Sequence, residues 1–390
     1  MIDHRKYAPM RVAGAETGTS QTVSMRRPET PRTLKGRGTS AQPDNRFFST
    51  HTEAVDDGWS APLDDPEGEP ATHPLTRVTE ESARSIVSRN TSPDIPFSQS
   101  INPYRGCEHG CVYCFARPTH AYLDLSPGLD FETKLYAKTN AVERLRVELS
   151  RPKYRVSPIA LGINTDAYQP IERRYRITRG LLELLAECRH PVSLITKSAL
   201  IERDLDLLVP MAQRNLVSVH FSITTLDNRL AAKMEPRACA PHRKLKAIRI
   251  LANAGVPVGV MVAPVIPALT DPELETILEA AHAAGARSAG YVLLRLPHEI
   301  KDLFRDWLAQ RFPDRAEHVM SLIRQMHGGK DYDATFGKRM RGEGVFAQLL
   351  ARRFSLAYAR FGYARLPALR TDLFRSPAAI VPPSPQGCLF

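Results

Sequence analysis

From about residue 93 onward, short apolar runs alternate with amphipathic segments, and this alternation limits the possible folds more than any other feature. Six runs have the length and composition of buried strands. They are Ile95–Asn102, Pro158–Ile163, Val192–Thr196, Val217–Ile223, Val256–Pro264 and Ser288–Leu294. The segments between them with helical periodicity are Ala141–Leu149, Tyr175–Cys188, Glu202–Arg214, His242–Ala254 and Pro272–Ala284. Strands that alternate with helices predict a parallel sheet with right-handed crossovers.

Six strand–helix units predict an α/β fold of the partial (β/α)6 TIM type, an open barrel with functional residues at the carboxyl ends of its strands. Beyond Pro297 the pattern becomes helical, with segments at Glu299–Arg311, Asp314–Met326 and Glu343–Phe361. Residues 1–92 are rich in Pro, Gly, Ser, Thr and charge and show no sustained period. The chain is therefore predicted to comprise a mostly disordered or loosely docked arm (1–92), a β/α core (93–330) and a helical C-terminal extension (331–390).

Charge is distributed unevenly along the 390 residues, whose formal net charge is +11. Residues 53–81 hold nine acidic residues and one arginine, so the chain from residue 82 onward carries +14. A basic body indicates nucleic acid or another anionic partner, or simply solvated basic helix faces. No apolar run is long enough to span a membrane. The first residues lack the apolar stretch of a secretion signal, so we expect a cytoplasmic protein.

The candidate chemistry is concentrated in the segment INPYRGCEHGCVYCFARPTH at residues 101–120. Cys107, Cys111 and Cys114 have C-x3-C-x2-C spacing and directly follow a predicted strand. Three thiols this close cannot all pair as disulfides, and a cytoplasmic protein would not retain such bonds. The spacing therefore indicates a metal centre.

Two kinds of metal centre are compatible with these cysteines. Zinc requires four ligands, and His109 or His120 could supply the fourth. An iron–sulfur cubane held by three thiolates leaves one iron open to an external ligand. The motif opens a β/α series rather than a small zinc module, and no second cysteine pair has zinc-ribbon spacing, so we favour the cluster.

With an aromatic residue before its last cysteine and a position at the first strand of a six-fold β/α array, this motif resembles the radical S-adenosylmethionine (SAM) superfamily over about residues 93–330. The resemblance implies that the three cysteines bind a [4Fe–4S] cluster. It also implies that SAM binds the fourth iron and that an electron from the cluster cleaves SAM to methionine and a 5′-deoxyadenosyl radical. An electron donor such as flavodoxin or ferredoxin is implied as a partner.

Segments at later strand ends resemble the spore photoproduct lyase-like (DNA repair photolyase-like) branch. They are GCEHGCVYC (106–114), NTDAYQPIE (164–172), ITKS (195–198) and HFSIT (220–224). The resemblance implies that Thr165 and Asp166 contact the SAM amino group and that Lys197 contacts its carboxylate. It places Ser222 near the ribose and Tyr113 beside the adenine. From the residues alone, Thr165 and Asp166 could instead cap a helix or form a turn, Lys197 could be a surface lysine, and Ser222 lies on a strand of unknown facing.

Asn164 departs from the pattern of this branch. Spore photoproduct lyases carry a cysteine at this position, and it returns a hydrogen atom to the product radical, which an amide does not readily do. The sequence therefore predicts a radical SAM enzyme with an unidentified substrate, for which nucleic acid is favoured. The alternatives are radical modification of a protein, peptide or small metabolite, and a non-catalytic zinc protein that binds nucleic acid.

The other cysteines and the basic clusters carry weaker expectations. Cys188 is predicted to be a buried core thiol, whereas Cys239 and Cys388 could each serve as a hydrogen donor or an extra ligand. Among the basic clusters, the Gly-flanked loop GKRMRGEG (337–344) is the better candidate for phosphate contact, through Lys338, Arg339 and Arg341.

Overall fold

A computed structural model describes residues 34–47 and 75–380 of the chain, and these ranges belong to one compact unit. The described strands are β1 (Arg77–Glu81), β2 (Val87–Arg89), β3 (Gln99–Ile101), β4 (Tyr104–Arg105), β5 (Lys134–Lys138), β6 (Ile159–Leu161), β7 (Val192–Thr196), β8 (Val217–Ser222), β9 (Val258–Val265) and β10 (Ser288–Leu293).

The helices lie mainly between and after the strands. They are α1 (Asp130–Thr133), α2 (Ala141–Leu149), α3 (Glu172–Tyr175), α4 (Ile177–Glu187), α5 (Leu205–Ala212), α6 (Asn228–Met234), α7 (Pro241–Asn253), α8 (Leu274–Ala283), α9 (Ile300–Arg311), α10 (Pro313–Met326), α11 (Gly344–Arg360) and α12 (Pro377–Ile380). Short 3-10 helices occupy Arg117–Leu123, Ala199–Asp204 and Asp271–Glu273.

Six parallel strands form the main sheet, in the order β10-β9-β8-β7-β6-β3, and β2 adds an antiparallel edge beside β3. The sequence pattern explains this arrangement, because runs such as Val217–Ser222 are almost wholly buried and pack between the barrel interior and the surrounding helices. The predicted partial (β/α)6 architecture is confirmed. Its strand ends lie within a few residues of the predicted ones.

A second sheet of three strands supports the cysteine segment. β5 pairs in parallel with β1 and antiparallel with β4, in the order β1-β5-β4. β4 immediately precedes Gly106 and Cys107, so this small sheet fixes the start of the cysteine loop. Sequence periodicity could not reveal β4, because it is only two residues long.

The folded body begins earlier in the chain than residue 93. Residues 75–92, which the sequence assigned to the arm, contribute β1 to the small sheet and β2 to the main sheet. Residues 34–47 are also described: Leu129 donates its N–H to the carbonyl of Ala41 at 3.1 Å, and the Asn45 amide donates to the carbonyl of Ala121 at 2.8 Å. Residues 1–33, 48–74 and 381–390 lie outside the described part, and with them Cys388.

No helix among the described residues is both long and apolar enough to cross a membrane. The longest, α11, spans 17 residues and packs against α8 and α10. It thereby joins the C-terminal helices to the outside of the barrel.

Candidate functional site

The three motif cysteines lie on one loop, which backbone hydrogen bonds hold in place. Cys107 donates its N–H to Phe131 O at 2.9 Å, and Cys114 donates to Cys111 O at 3.2 Å. Gly110 adopts a φ of +68°, and a methyl group there would lie 2.7 Å from the Glu132 carboxylate, so only glycine fits this turn. The sequence therefore folds this loop tightly, with two of its three cysteines buried.

Burial and mutual proximity set the charge properties of these thiols. Cys107 and Cys111 are buried, and Cys114 is partly buried and packs against both of the core clusters to which they belong. Burial raises the pKa of Cys111 to about 12, with a further contribution from the Glu235 carboxylate. The pKa of Cys107 also rises well above its ordinary value, through burial first and then through Asp166 and the other two thiols. Deprotonation of all three therefore calls for a cationic centre between them.

The donor set fits an iron–sulfur cluster better than a single metal ion. In the described part of the chain, no three His, Cys, Asp or Glu side chains stand close enough together to hold one ion. Within the described residues, neither histidine that could supply a fourth zinc ligand is grouped with the three thiols. His109 faces Asp166 at 3.5 Å, and His120 contacts the carbonyl of Lys134 at 2.9 Å. The ligands of a cubane are spread over a wider body than those of one ion, and three thiols on one loop, two buried and one partly buried, suit it.

A buried ionic network occupies the carboxyl ends of β7 and β8, beside the cysteine loop. The Lys197 ammonium donates to Ser222 Oγ at 2.8 Å and lies 3.0 Å from Glu235 Oε1. Tyr113 donates its hydroxyl to the same carboxylate, and the Lys197 ammonium lies 5.5 Å from the centre of the Tyr113 ring. The structure thus brings together three of the five predicted SAM contacts.

Glu235 stands at the centre of this network, although no motif in the sequence marks it. Its second oxygen pairs with the Lys244 ammonium at 2.7 Å, and Thr224 donates to its first oxygen at 2.6 Å. Burial alone would raise the pKa of Glu235, but Lys197 and Lys244 outweigh burial and lower it below its ordinary value. The carboxylate is therefore ionised.

Lys244 was missed too, although the sequence contained a signal for it. It shares a helix face with Ala247, Ile248 and Leu251, at spacings of three, four and seven residues. A lysine on an apolar helix face indicates a buried charge that needs a partner. Lys244 is only 1% exposed, whereas Lys246 and Arg249 on the same helix are exposed.

The other two predicted SAM contacts, Thr165 and Asp166, make contacts within the protein. Thr165 donates its hydroxyl to the carbonyl of Tyr104 at 3.0 Å. Asp166 accepts from the Thr196 hydroxyl and from the Lys197 backbone N–H, both at 2.7 Å, and closes a turn at Tyr168 N. The turn that the residues alone allowed is present. Asp166 also ties the loop after β6 to Lys197.

The structure also describes the surroundings of Asn164 and of two further cysteines, Cys188 and Cys239. Asn164 is exposed, and its backbone N–H donates to Asn102 Oδ1 at 2.8 Å. Cys188 is buried in the apolar core, as the sequence predicts. The Cys239 sulfur accepts from Ala199 N at 3.4 Å. Cys239 takes part in no group of potential metal ligands within the described residues.

Comparison with known proteins decides the family. Residues 101–281 match the Radical SAM superfamily. The chain is also 42% identical over 233 residues to an uncharacterised protein of Mycobacterium tuberculosis, a match that covers 59% of this chain and 68% of that protein. The chain belongs to the radical SAM superfamily. A more distant relative, an uncharacterised protein of Methanocaldococcus jannaschii, is 26% identical over 56% of this chain and 78% of its own length.

Solved structures show the same fold for this radical SAM protein. Spore photoproduct lyase superposes with a TM-score of 0.52 and 15% identity, over 73% of this chain and 80% of that chain. A structure of that lyase with a dinucleoside spore photoproduct superposes equally well. Members of the superfamily are enzymes that use a [4Fe–4S] cluster and SAM, and the buried thiol loop described above fits that cluster.

Proposed function

We propose that this protein is a radical SAM enzyme that acts on nucleic acid, with its cluster held by Cys107, Cys111 and Cys114. The observation that supports this best is that the cysteine loop, with Cys107 and Cys111 buried and Cys114 partly buried, lies beside the Lys197–Glu235–Lys244 network at the carboxyl ends of the barrel strands. When bound, the cluster and SAM supply a 5′-deoxyadenosyl radical that removes a hydrogen atom from the substrate.

In this proposal, the protein's own side chains bind SAM and orient it. The ammonium groups of Lys197, which is partly buried, and Lys244, which is buried, share the single carboxylate of Glu235. This group of three side chains therefore carries one net positive charge, which suits the carboxylate of SAM. We assign that contact to Lys197. Tyr113 and Ser222 are assigned to the adenosine part, since both reach the same network. Thr165 and Asp166 remain proposed contacts of the amino group, which they would reach through groups not used in their internal bonds.

Nucleic acid as substrate class has two lines of support. The chain from residue 82 onward carries a net charge of +14. A protein of the same fold has been solved with a dinucleoside photoproduct. Because Asn164 stands where the lyase branch has a hydrogen-donating cysteine, we propose a reaction that does not return hydrogen from that position. We also propose a cytoplasmic location and a flavodoxin or ferredoxin as electron donor, since cluster thiolates need a reducing compartment.

The test of this function is anaerobic reconstitution followed by turnover. The wild-type protein should bind four iron and four sulfide per chain, and reduction with dithionite in the presence of SAM should release 5′-deoxyadenosine. Cys111→Ala should abolish the release, because it removes one of the three cluster ligands. Cys188→Ala is the matched control, since this thiol lies in the apolar core, and it should retain the activity. Stoichiometric zinc without iron, or equal activity in Cys111→Ala, would contradict the proposal.

A further inference from the structure

Two arginine–aromatic stacks lie next to each other at the mouth of the barrel. Arg295 follows β10, and its guanidinium lies 4.9 Å from the centre of the Phe115 ring, which directly follows Cys114. The Arg46 guanidinium lies 5.4 Å from the ring of Tyr122. Arg46 links the two stacks, because it donates to Pro118 O at 3.1 Å, in the segment that carries both rings, and pairs with Glu299 at 3.1 Å, four residues after Arg295.

Arg295 differs from the other arginines around it. Arg46 pairs with Glu299, Arg117 with Glu132 and Arg305 with Asp331. Within the described residues the Arg295 side chain has no ion pair or hydrogen bond, and its buried Nε has no acceptor. The guanidinium charge is therefore not neutralised within the described residues, so an anionic group of a ligand can pair with its terminal nitrogens.

The rings beside these arginines are open to solvent on the rim. The side chain of Phe115 is 38% exposed and that of Tyr122 is 71% exposed. A base can stack on an exposed aromatic face, and a phosphate can accept two hydrogen bonds from one guanidinium. Stacked bases inside a duplex have no free face to offer such rings. The chemistry therefore selects unpaired nucleotides.

We propose that Phe115, Tyr122 and Arg295 form a rim strip that binds single-stranded nucleic acid, with a phosphate on Arg295 and bases on the two rings. This inference rests on the proposed function, which places the substrate at the barrel mouth. It adds that the nucleic acid is single-stranded and names the residues that contact it. The basic charge of the body supports the choice of a polyanion over a peptide or a neutral metabolite.

The test is fluorescence anisotropy with a labelled single-stranded DNA of about ten nucleotides, an RNA of the same sequence and the corresponding duplex. Phe115→Leu and Tyr122→Leu should each weaken single-strand binding about 10-fold. Arg295→Gln should weaken single-strand binding several-fold. It should also reduce the slope of log affinity against log salt concentration by the equivalent of about one phosphate contact. Arg295→Lys keeps the positive charge and should retain the wild-type slope. The duplex should bind at least 10-fold more weakly than the single strands.

Two matched controls separate this strip from the general basic surface. Phe336 is 56% exposed beneath the Arg339 guanidinium at 4.7 Å, but Arg339 is paired with Asp94. Arg315 on α10 is exposed. Phe336→Leu and Arg315→Gln should leave the affinity and the salt dependence unchanged. Equal losses in the controls, or unchanged affinity in Tyr122→Leu, whose exposed ring is not needed for folding, would overturn the inference.

An assay of 5′-deoxyadenosine release by the wild-type protein, carried out without nucleic acid, distinguishes failure of this inference from failure of the proposed function. If the wild-type protein releases none but binds single strands through the strip, the proposed function fails and the strip stands. If it releases 5′-deoxyadenosine but binds no single-stranded oligonucleotide at low salt, the strip is refuted and the SAM chemistry stands. Binding of the duplex as tight as that of the single strands would also refute the strip.

Discussion

At the scale of single residues, Glu235 decides how the proposed SAM contacts are arranged. Its carboxylate holds Lys197 at 3.0 Å and Lys244 at 2.7 Å, and it accepts the Tyr113 hydroxyl. All of these groups are buried or nearly so. An ammonium without a counter-ion is strongly disfavoured in such surroundings, so the carboxylate determines where both lysines can lie.

Glu235→Gln should destabilise the fold strongly, because it leaves two buried ammonium groups without an anion. Removal of one partner from a buried pair costs about 3–5 kcal/mol, and we expect a loss of that order in the free energy of unfolding. Denaturant titration measures it. Glu275→Gln is the control: Glu275 pairs with Arg353 at 2.7 Å but is 40% exposed, so its loss should be about 1 kcal/mol or less. Equal losses in both variants would contradict the role of Glu235.

The Glu235 carboxylate also predicts how the stability of the fold depends on pH. The folded-state pKa of Glu235 lies below its ordinary value of 4.5 because of the two lysines. Its contribution to stability is therefore fully present above about pH 4.5 and is lost as the pH falls toward the folded-state pKa. Glu235→Gln should lack this part of the acid sensitivity. Denaturant titrations of both proteins between neutral pH and pH 3 would show it, and parallel profiles would contradict it.

At the scale of elements, the segment of residues 34–47 acts on the cysteine loop through two buried side chains. The Gly38 N–H donates to Glu132 at 2.9 Å, Glu132 pairs with the fully buried Arg117, and Arg117 donates to Cys111 O at 2.9 Å. Gly38 lies so close to the loop that a methyl group there would be 1.7 Å from Gly110 O. The segment therefore covers the outer side of the proposed cluster ligands.

Gly38→Ala should displace this segment, because the new methyl group would overlap Gly110 O. Neither the segment nor the cysteine loop can move far enough to relieve this overlap without losing backbone hydrogen bonds. We expect a cost of about 1–3 kcal/mol, typical of overpacking. Hydrogen exchange at residues 34–47 should accelerate, and reconstituted protein should lose iron faster in buffer. Ser40→Ala, which alters a neighbouring side chain without a hydrogen bond among the described residues, should change neither. Unchanged exchange in Gly38→Ala would show that the segment does not depend on this contact.

The sequence predicted regular elements well and their long-range partners poorly. β7 and α2 have the predicted bounds, because a β-branched run and an amphipathic period are local signals. The motif cysteines are also local, and their spacing indicated the cluster. Glu235 could not be found this way, because its partners Tyr113, Lys197 and Lys244 come from three other parts of the chain. The segment 34–47 shows no helical or strand periodicity. Its position is fixed by contacts with the cysteine loop rather than by its own secondary-structure propensity, so the sequence pattern could not reveal it.

At the scale of the whole molecule, one loop joins the two edges of the open sheet. β10 and β2 are the outermost strands. Leu293 of β10 donates its N–H to the carbonyl of Met340 at 3.0 Å. From the same loop, Gly337 donates to Asp94 at 2.7 Å, and Asp94 lies between β2 and β3. The loop therefore closes the open side of the partial barrel.

This closure changes how the basic loop at 337–344 is understood. The sequence favoured Lys338, Arg339 and Arg341 as phosphate contacts. Arg339 is paired with Asp94 and Lys338 with Glu343, and Arg341 lies over the ring of Tyr291 at 4.3 Å. Other basic side chains are also paired within the chain, as Arg203 is with Glu172. Such ion pairs contribute nothing to the net positive charge, which resides on cations without an anionic partner, and Arg295 is therefore a better candidate for phosphate contact.

Arg339→Gln should loosen both edges of the sheet at once. The side chain donates to Asp94 at 2.5 Å and to Ser92 at 2.7 Å, and the Asp94 side chain is only 8% exposed, so the variant leaves a buried carboxylate without its cation. We expect a loss of about 1–3 kcal/mol and faster hydrogen exchange at the Leu293 amide and at β2. Lys338→Gln is the matched control, because its pair with Glu343 is about half exposed on both sides and should contribute about 1 kcal/mol or less. If exchange rises at the loop alone and neither sheet edge responds, the loop does not hold the barrel closed; if both edges respond together, the two ends of the sheet are coupled through this one arginine.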